Sequence, residues 1–191
     1  TATNAIGTSA ASDASNSVIP APQVGDFYQS GVVFHLFVDG ETGYVSGETH
    51  GLIAAVQDQS SGIRWYNGSS DTTGATGTAE GTGATNTTTI IAVQGATEIS
   101  YAAGLARAYS GGGYDDWFLP SKDELNQIFT NKATINTTAS ANGGSNFAIN
   151  YYWSSTEYDS NNAWLQNFNI GSQYGNLKSH TSFSVRAVRA F

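Results

Sequence analysis

The chain has 191 residues, enough for one domain with a real core, yet only 12% of them are charged, the formal net charge is −8 and there is no cysteine. That balance argues against nucleic acid as a partner, because phosphate contacts need Lys and Arg. It also excludes disulfides, thiolate catalysis and cysteine-ligated metal.

Thr1–Gln23 is rich in Ala, Ser, Thr and Asn, with Pro20 and Pro22 near its end, and reads as a linker or stalk. The chain starts at Thr1 without Met, which reads as a processed product or the end of a longer chain. A single domain is expected over residues 24–191. Gly31–Phe37 and Leu52–Val56 read as buried strands, with Tyr44-Val45 resuming the sheet between them. Ser69–Thr89 has no apolar anchor and reads as a long surface loop. Glu98–Tyr109 has helical spacing at Ile99, Ala102, Ala103, Leu105, Ala106 and Tyr109, and Gly111–Gly113 ends it. Ser121 with Glu124 forms a capping box, which predicts a helix from Lys122 to about Asn131. Thr134–Asn150 reads as polar loop. Tyr151–Ser155, Ala163–Asn169 and Phe183–Arg189 read as three strands, the last alternating between an apolar face and an arginine face. The order predicts an α+β fold with small antiparallel sheets, two helices and long irregular loops. No apolar run is long enough to span a bilayer.

The final stretch, Tyr151–Phe191, is the most informative. Trp153, Ala163, Trp164, Phe168, Gly171, Val185, Ala187 and Val188 form an apolar frame. Uncharged polar and aromatic residues are threaded through it. Tyr, Ser, Gly and Asn give binding surfaces their contact area and adaptable hydrogen bonds. The expected contact residues are Tyr158, Asp159, Ser160, Asn161, Asn162, Leu165, Asn167, Asn169, Ile170, Ser172, Tyr174, Gly175, Asn176, Leu177, Ser179, His180, Ser182, Phe183 and Ser184. Strand parity groups Trp164 with Phe168. If those two face the core, Leu165, Asn167 and Asn169 face solvent, and Leu165 is an exposed ligand anchor.

Four motifs occur together: WFLPSKDEL at Trp117–Leu125, YWSSTE at Tyr152–Glu157, AWLQNF at Ala163–Phe168 and VRAVRAF at Val185–Phe191. Over roughly Gly25–Phe191 the chain resembles the C-terminal domain of the Legionella collagen-like adhesin and its bacterial and phage relatives. The resemblance implies a C-type-lectin-like fold, related to the formylglycine-generating enzymes. It implies an extracellular domain on a bacterial cell or phage virion, often trimeric, that attaches to a cell-surface glycan or protein receptor. The cysteine chemistry of the formylglycine-generating enzymes does not carry over. The Glu-Pro-Asn and Trp-Asn-Asp motifs of calcium-dependent lectins are absent, so calcium-mediated sugar binding has no support. The alternative reading is a structural module that trimerises or caps a fibre.

The tail is also similar to the variable region of proteins diversified by retroelements, which mutate template adenines. Codons AAC and AAT can mutate to the residues at 160, 165, 167, 169, 170, 172, 174–177, 179, 180 and 182–184, but never to Lys, Glu, Gln, Met or Trp. Gln166, Gln173 and Lys178 are not reachable in this way.

Other chemistry competes with simpler readings. Trp117, Trp153 and Trp164 could stack on sugars, but at least two read as core. Capping explains Ser121 and Glu124. Asp115 and Asp116 could hold a cation, though a turn explains such a pair more simply. Glu157 and Asp159 could be a hydrolase pair; the competing expectation is that Glu157 pairs with Arg186 or Arg189. His35, His50 and His180 have no metal-ligand spacing. The expectation is therefore a binder, not an enzyme, with no cofactor and no metal.

Overall fold

The computed structural model describes residues 3–4, 7–8, 20–95 and 99–191. The expected stalk, residues 1–23, lies mostly outside the described residues. Within it, β1 (Thr3–Asn4) pairs antiparallel with β2 (Gly7–Thr8).

One sheet has four strands: β3 (Phe27–Tyr28), β4 (Gly31–Leu36), β5 (Gly51–Ala55) and β11 (Val188–Ala190), in the order β11-β5-β4-β3. Its middle strands are apolar at consecutive positions because both of its faces are covered. Val33, Ile53 and Ala55 face one core, with Trp65, Trp117 and Trp153. Val32, Phe34, Leu52 and Ala54 face a second core, with Leu125, Ile128, Ile135 and Phe147. The C-terminal strand β11 lies beside β5, with Val188 opposite Ala54.

The second sheet has five strands: β6 (Ser60–Ile63), β7 (Tyr151–Glu157), β8 (Asn162–Asn167), β9 (Gln173–Leu177) and β10 (Phe183–Val185), in the order β6-β10-β7-β8-β9. With α1 (Gly83–Gln94), α2 (Ala102–Ala108), α3 (Lys122–Thr130) and α4 (Lys132–Ala141), this is an α+β fold with two small sheets.

Several expectations are corrected. Among the described residues, four α-helices stand where two were expected. The loop expected at Ser69–Thr89 contains the start of α1. That helix buries Gly83, Asn86, Thr87, Ile90 and Gln94, which is helical spacing carried largely by polar residues. Asn86 Nδ2 donates to Gly77 O at 2.6 Å, and Thr87 Oγ1 accepts from Leu119 N at 3.0 Å. The loop expected at Thr134–Asn150 contains most of α4, which buries only Ile135 and Ala139. Tyr44 and Val45 lie among turns rather than in the sheet. Phe183–Arg189 is two strands in different sheets, and Arg186 between them is buried. The sheets are also not wholly antiparallel, since β10 runs parallel to β7. The helix expected at Glu98–Tyr109 is shorter, and Ile99 is exposed.

The capping box of α3 is as expected, and it reaches further. The carboxylate of Glu124 is fully buried and accepts from Ser121 N at 2.8 Å, Gly81 N at 2.9 Å and Gly83 N at 3.1 Å. One side chain therefore closes α3 and fixes the entry to α1. Burial pushes this carboxyl up from 4.5 to about 7, outweighing the three amides, and nearby Glu80 adds to the rise. Across that window the folded state holds a proton that the unfolded chain has released, so this contribution to stability falls as pH rises from about 4.5 to about 7. Glu124→Gln keeps an acceptor and removes the titration. Urea melts across this window should show wild type losing stability relative to Glu124→Gln as pH rises; identical pH dependence would refute the assignment.

Candidate functional site

The sheet that carries the expected contact residues is tied at one end by a buried ion pair. Glu157 ends β7 and Lys178 follows β9, and both side chains are almost wholly buried. Lys178 Nζ lies 2.6 Å from Glu157 Oε1 and also donates to Ser160 O at 2.9 Å and Asp71 O at 3.2 Å. Its ammonium lies 4.9 Å from the centre of the Trp65 ring. Thr73 N and Gly74 N donate to the same carboxylate, each at 2.9 Å to one of its oxygens. Burial alone would raise the Glu157 carboxyl, but Lys178 and the amides of Thr73 and Gly74 outweigh it and hold it below its ordinary value. The expected partners of Glu157 are corrected. Arg186 pairs with Asp58, at 2.6 Å, and Arg189 pairs with Asp116.

Strand β8 lies between β7 and β9, with Trp153 opposite Leu165 and Leu165 opposite Tyr174. The parity is right, but the assignment of faces is corrected. Leu165 is fully buried beside Trp153, Ala163 and Phe183, whereas Trp164 is half-buried. Both faces of β8 are covered. The Leu165 face packs on the first core. On the other, Gln166 Nε2 donates to Asn126 Oδ1 of α3 at 3.0 Å, and Phe168 meets Phe129 edge to face. Leu165 is thus a core residue and not an exposed anchor. Phe183 and Ser184 are also buried, under His180 and Asn150 respectively.

The remaining expected contact residues separate into two groups. At the end of the sheet nearest the Lys178 latch are Tyr158, Asp159, Ser160, Asn161, Asn162 and Leu177, with Asn162 opposite Leu177. Tyr158 stands edge-on to Trp164, their centres 5.1 Å apart, and a Cβ on Gly175 would lie 3.0 Å from the Tyr158 ring. Asp159 closes its own turn: its Oδ1 accepts from Asn161 N and Asn162 N, each at 2.8 Å. The Asn162 side chain and these amides hold its carboxyl below the ordinary value. It does not pair with Glu157. Asn176, Gly175 and Ser179 lie along β9 and just beyond it.

The second group runs from mid-sheet to the β8–β9 turn at the other end of β8, with His180 reached directly from Leu177, whose carbonyl accepts from His180 N at 3.0 Å. Here Tyr151 meets Tyr174 at 5.9 Å and Phe183 at 5.2 Å, and His180 stacks on Phe183 at 4.2 Å with planes 7° apart. The result is a row of four rings: Tyr174, Tyr151, Phe183 and His180. Burial, a hydrogen bond to Tyr151 and the proximity of that phenol push the Tyr174 hydroxyl up to about 12, so it stays protonated. Asn169, Ile170 and Ser172 form the exposed β8–β9 turn. Asn167 shapes this turn, because its Oδ1 accepts from Asn169 N at 2.8 Å. Ser182 is exposed, and its carbonyl accepts from Asn150 Nδ2 at 3.1 Å.

Sequence reasoning missed Ile149, Asn150 and Tyr151 at this end. Ile149 is 82% exposed and Ile170 69%, an unusual pair on a polar surface. The carbonyl of Asn150 accepts from Phe168 N at 2.9 Å, which brings the approach to β7 beside the β8–β9 turn. An isolated Ile just before a predicted strand was the available signal. Among the described residues, no three His, Asp or Glu side chains converge as a metal site requires, and no helix is long and apolar enough to cross a membrane.

Residues 54–189 match the family described as the Lcl C-terminal domain, and the chain belongs to that family. The domain is therefore of an adhesin-associated kind. No curated protein sequence matches the chain.

Removing one partner of a buried ion pair costs about 3–5 kcal/mol. Lys178→Met should be destabilised by that amount in chemical melts, and adding Glu157→Gln should restore part of it; a Lys178→Met melt equal to wild type would show that the pair is idle. Leu165→Ala should cost about 2–5 kcal/mol as a core truncation. Ile170→Ser should stay within about 0.5 kcal/mol of wild type. Equal losses would contradict the burial assignments.

Proposed function

We propose that the chain is an extracellular, adhesin-like binding domain with a C-type-lectin-like fold, acting at the surface of a bacterial cell or a phage virion. Its partner is a cell-surface glycan or protein receptor. The observation that carries this reading is the ring row Tyr174–Tyr151–Phe183–His180, whose Tyr151 lies at the same end of the sheet as the exposed Ile149 and Ile170. Rigid aromatic and apolar contacts on a braced strand pair give binding area at low entropic cost. The family membership supports the adhesin-like setting.

We propose further that the tail is diversified by a retroelement. Between Ser160 and Ser184, the three residues that neither mutation of AAC and AAT nor an adenine-free codon explains, Gln166, Gln173 and Lys178, all have framework roles. Gln166 is buried, Gln173 Nε2 donates to Lys122 O at 2.7 Å and to Gln166 Oε1 at 3.1 Å, and Lys178 makes the buried pair. A fixed frame under a changeable surface is what such diversification requires. The domain is proposed to bind without turnover. Glu157 is committed to Lys178 and Asp159 to its own turn, which supports this reading.

A second reading, assembly as a homotrimer or fibre cap, is favoured by a different observation. Phe27, Val38, Tyr44 and Val45 are exposed in and around the first sheet, where β3 is an edge strand. The two readings are compatible.

Immobilised protein should capture bacterial or host cells or purified surface glycans, and Ile149→Ser with Ile170→Ser should weaken capture by roughly tenfold without shifting the melt. Unchanged capture would sink the assignment of this surface. Light scattering on the intact chain should report a trimer; a monomer at micromolar concentration counts against assembly.

A further inference from the structure

An open cavity of about 340 Å³ lies away from the ring row, between the β5–β6 turn and the C-terminal end of α2. That volume is within the range of small-ligand sites. One side is apolar, made by Ile99, Leu105, Ala108 and the Tyr109 ring. The other side carries the amides of Gln57 and Gln59, with Ser110 at the edge.

Among the described residues, the one charged residue in the lining is spent. Asp58 Oδ1 accepts from Arg186 Nε at 2.6 Å, and its Oδ2 accepts from Tyr152 OH at 2.7 Å. The Arg186 guanidinium is itself buried, and it also donates to Ala55 O at 3.0 Å. Neither charge is free to meet an ionic ligand. Gln59 is partly committed, its Oε1 accepting from Ala187 N at 2.5 Å and its Nε2 donating to Gln57 O at 2.8 Å. One N–H of that amide remains for a ligand. Among the described residues, the hydroxyls of Tyr109 and Ser110 and the Gln57 side-chain amide have no hydrogen-bond partner. Tyr109 is held edge-on against Trp117, with ring centres 5.0 Å apart, so its hydroxyl is presented from a fixed ring. Burial raises that phenol, and it remains a neutral donor.

We infer that this cavity is a second binding site, which takes a neutral, hydroxyl-bearing ring with one apolar face: an uncharged sugar residue. The C–H face of such a ring lies on Leu105, Ala108 and Ile99. Its hydroxyls meet donors and acceptors that are neutral and not otherwise engaged. An anion finds no free cation here, and a cation finds the Asp58 carboxylate already neutralised. The site does not depend on the ring row and stands or falls separately from it.

The test uses saturation-transfer NMR on the intact chain, with the methyl glycosides of glucose, galactose, mannose and N-acetylglucosamine, and glucuronate as a charged control. At least one neutral glycoside should receive saturation. Tyr109→Phe, which keeps the packing on Trp117, should weaken its Kd roughly fivefold, as expected for one neutral hydrogen bond. Leu105→Trp, which fills the cavity, should abolish the signal, and Tyr174→Ser should leave it unchanged. Silence from all four neutral glycosides would overturn the site, as would a response to glucuronate alone. A signal that survives both Leu105→Trp and Tyr109→Phe but is lost in Tyr174→Ser would place the sugar at the ring row, overturning this site while supporting the surface reading.

Discussion

The Glu157–Lys178 ion pair is the constraint that ties the five-stranded sheet together at the end opposite Ile149 and Ile170. It joins the last residue of β7 to the residue after β9 and takes in the β7–β8 turn through Ser160 O and the loop before α1 through Asp71 O, Thr73 N and Gly74 N. Removing two charges from water is expensive, and their attraction repays this only when the remaining donors and acceptors are also satisfied. Here they are: the ammonium has three oxygen partners and an indole face, and the carboxylate has two amides besides the lysine. The pair specifies one arrangement of four chain segments. A polar, glycine-containing strand such as β9 has little apolar burial with which to do so itself.

Much of the framework was legible in the sequence. The capping box at Ser121 and Glu124, the apolar runs of β4 and β5, and the strands at Tyr151 and Ala163 all follow from local rules. What was not legible shares one physical cause: burial by polar residues. Helix α1 buries Asn86, Thr87 and Gln94, each with a hydrogen-bond partner inside the fold, so a hydropathy reading finds no stripe. Lys178 and Arg186 are buried for the same reason, and a lysine among asparagines and serines looks like surface. The error at Leu165 differs. Alternation was read as one wet and one dry face, which holds only for a sheet covered on one side. Strand β8 is covered on both, by the first core and by α3.

The candidate surface changes accordingly. Parity along β8 offered Leu165 as an anchor, but tertiary cover withdrew it. What stays open is set by where the cover stops. Trp153 Nε1 donates to Ile63 O at 2.8 Å and Trp65 Nε1 to Ser154 O at 2.8 Å, so the Trp65 segment seals the middle of that face. Tyr151 and Tyr174 lie beyond its reach and stay half-buried. The exposed turns at Asp159 and Asn167 are each closed by their own side chain. Residues at their tips can therefore change without the turn losing its geometry.

The use of positive charge limits what can be recognised. The chain has seven Lys and Arg residues against fifteen Asp and Glu. Each of the seven is engaged within the fold. Lys178, Arg186 and Arg189 are ion-paired, and Lys122 lies beside Asp123 and over Trp164. Lys132 donates to Phe168 O, Arg107 to Trp117 O and Arg64 to Ser100 O. These cations brace the sheet ends and helix junctions, and freeing one for a ligand would take it from that role. The surface left to the solvent carries the excess of carboxylates, which repels anions at long range. On the proposed binding function, contact comes from uncharged groups, namely aromatic rings, amides, hydroxyls and the exposed Ile149 and Ile170. That is the chemistry concentrated at the open end of the five-stranded sheet.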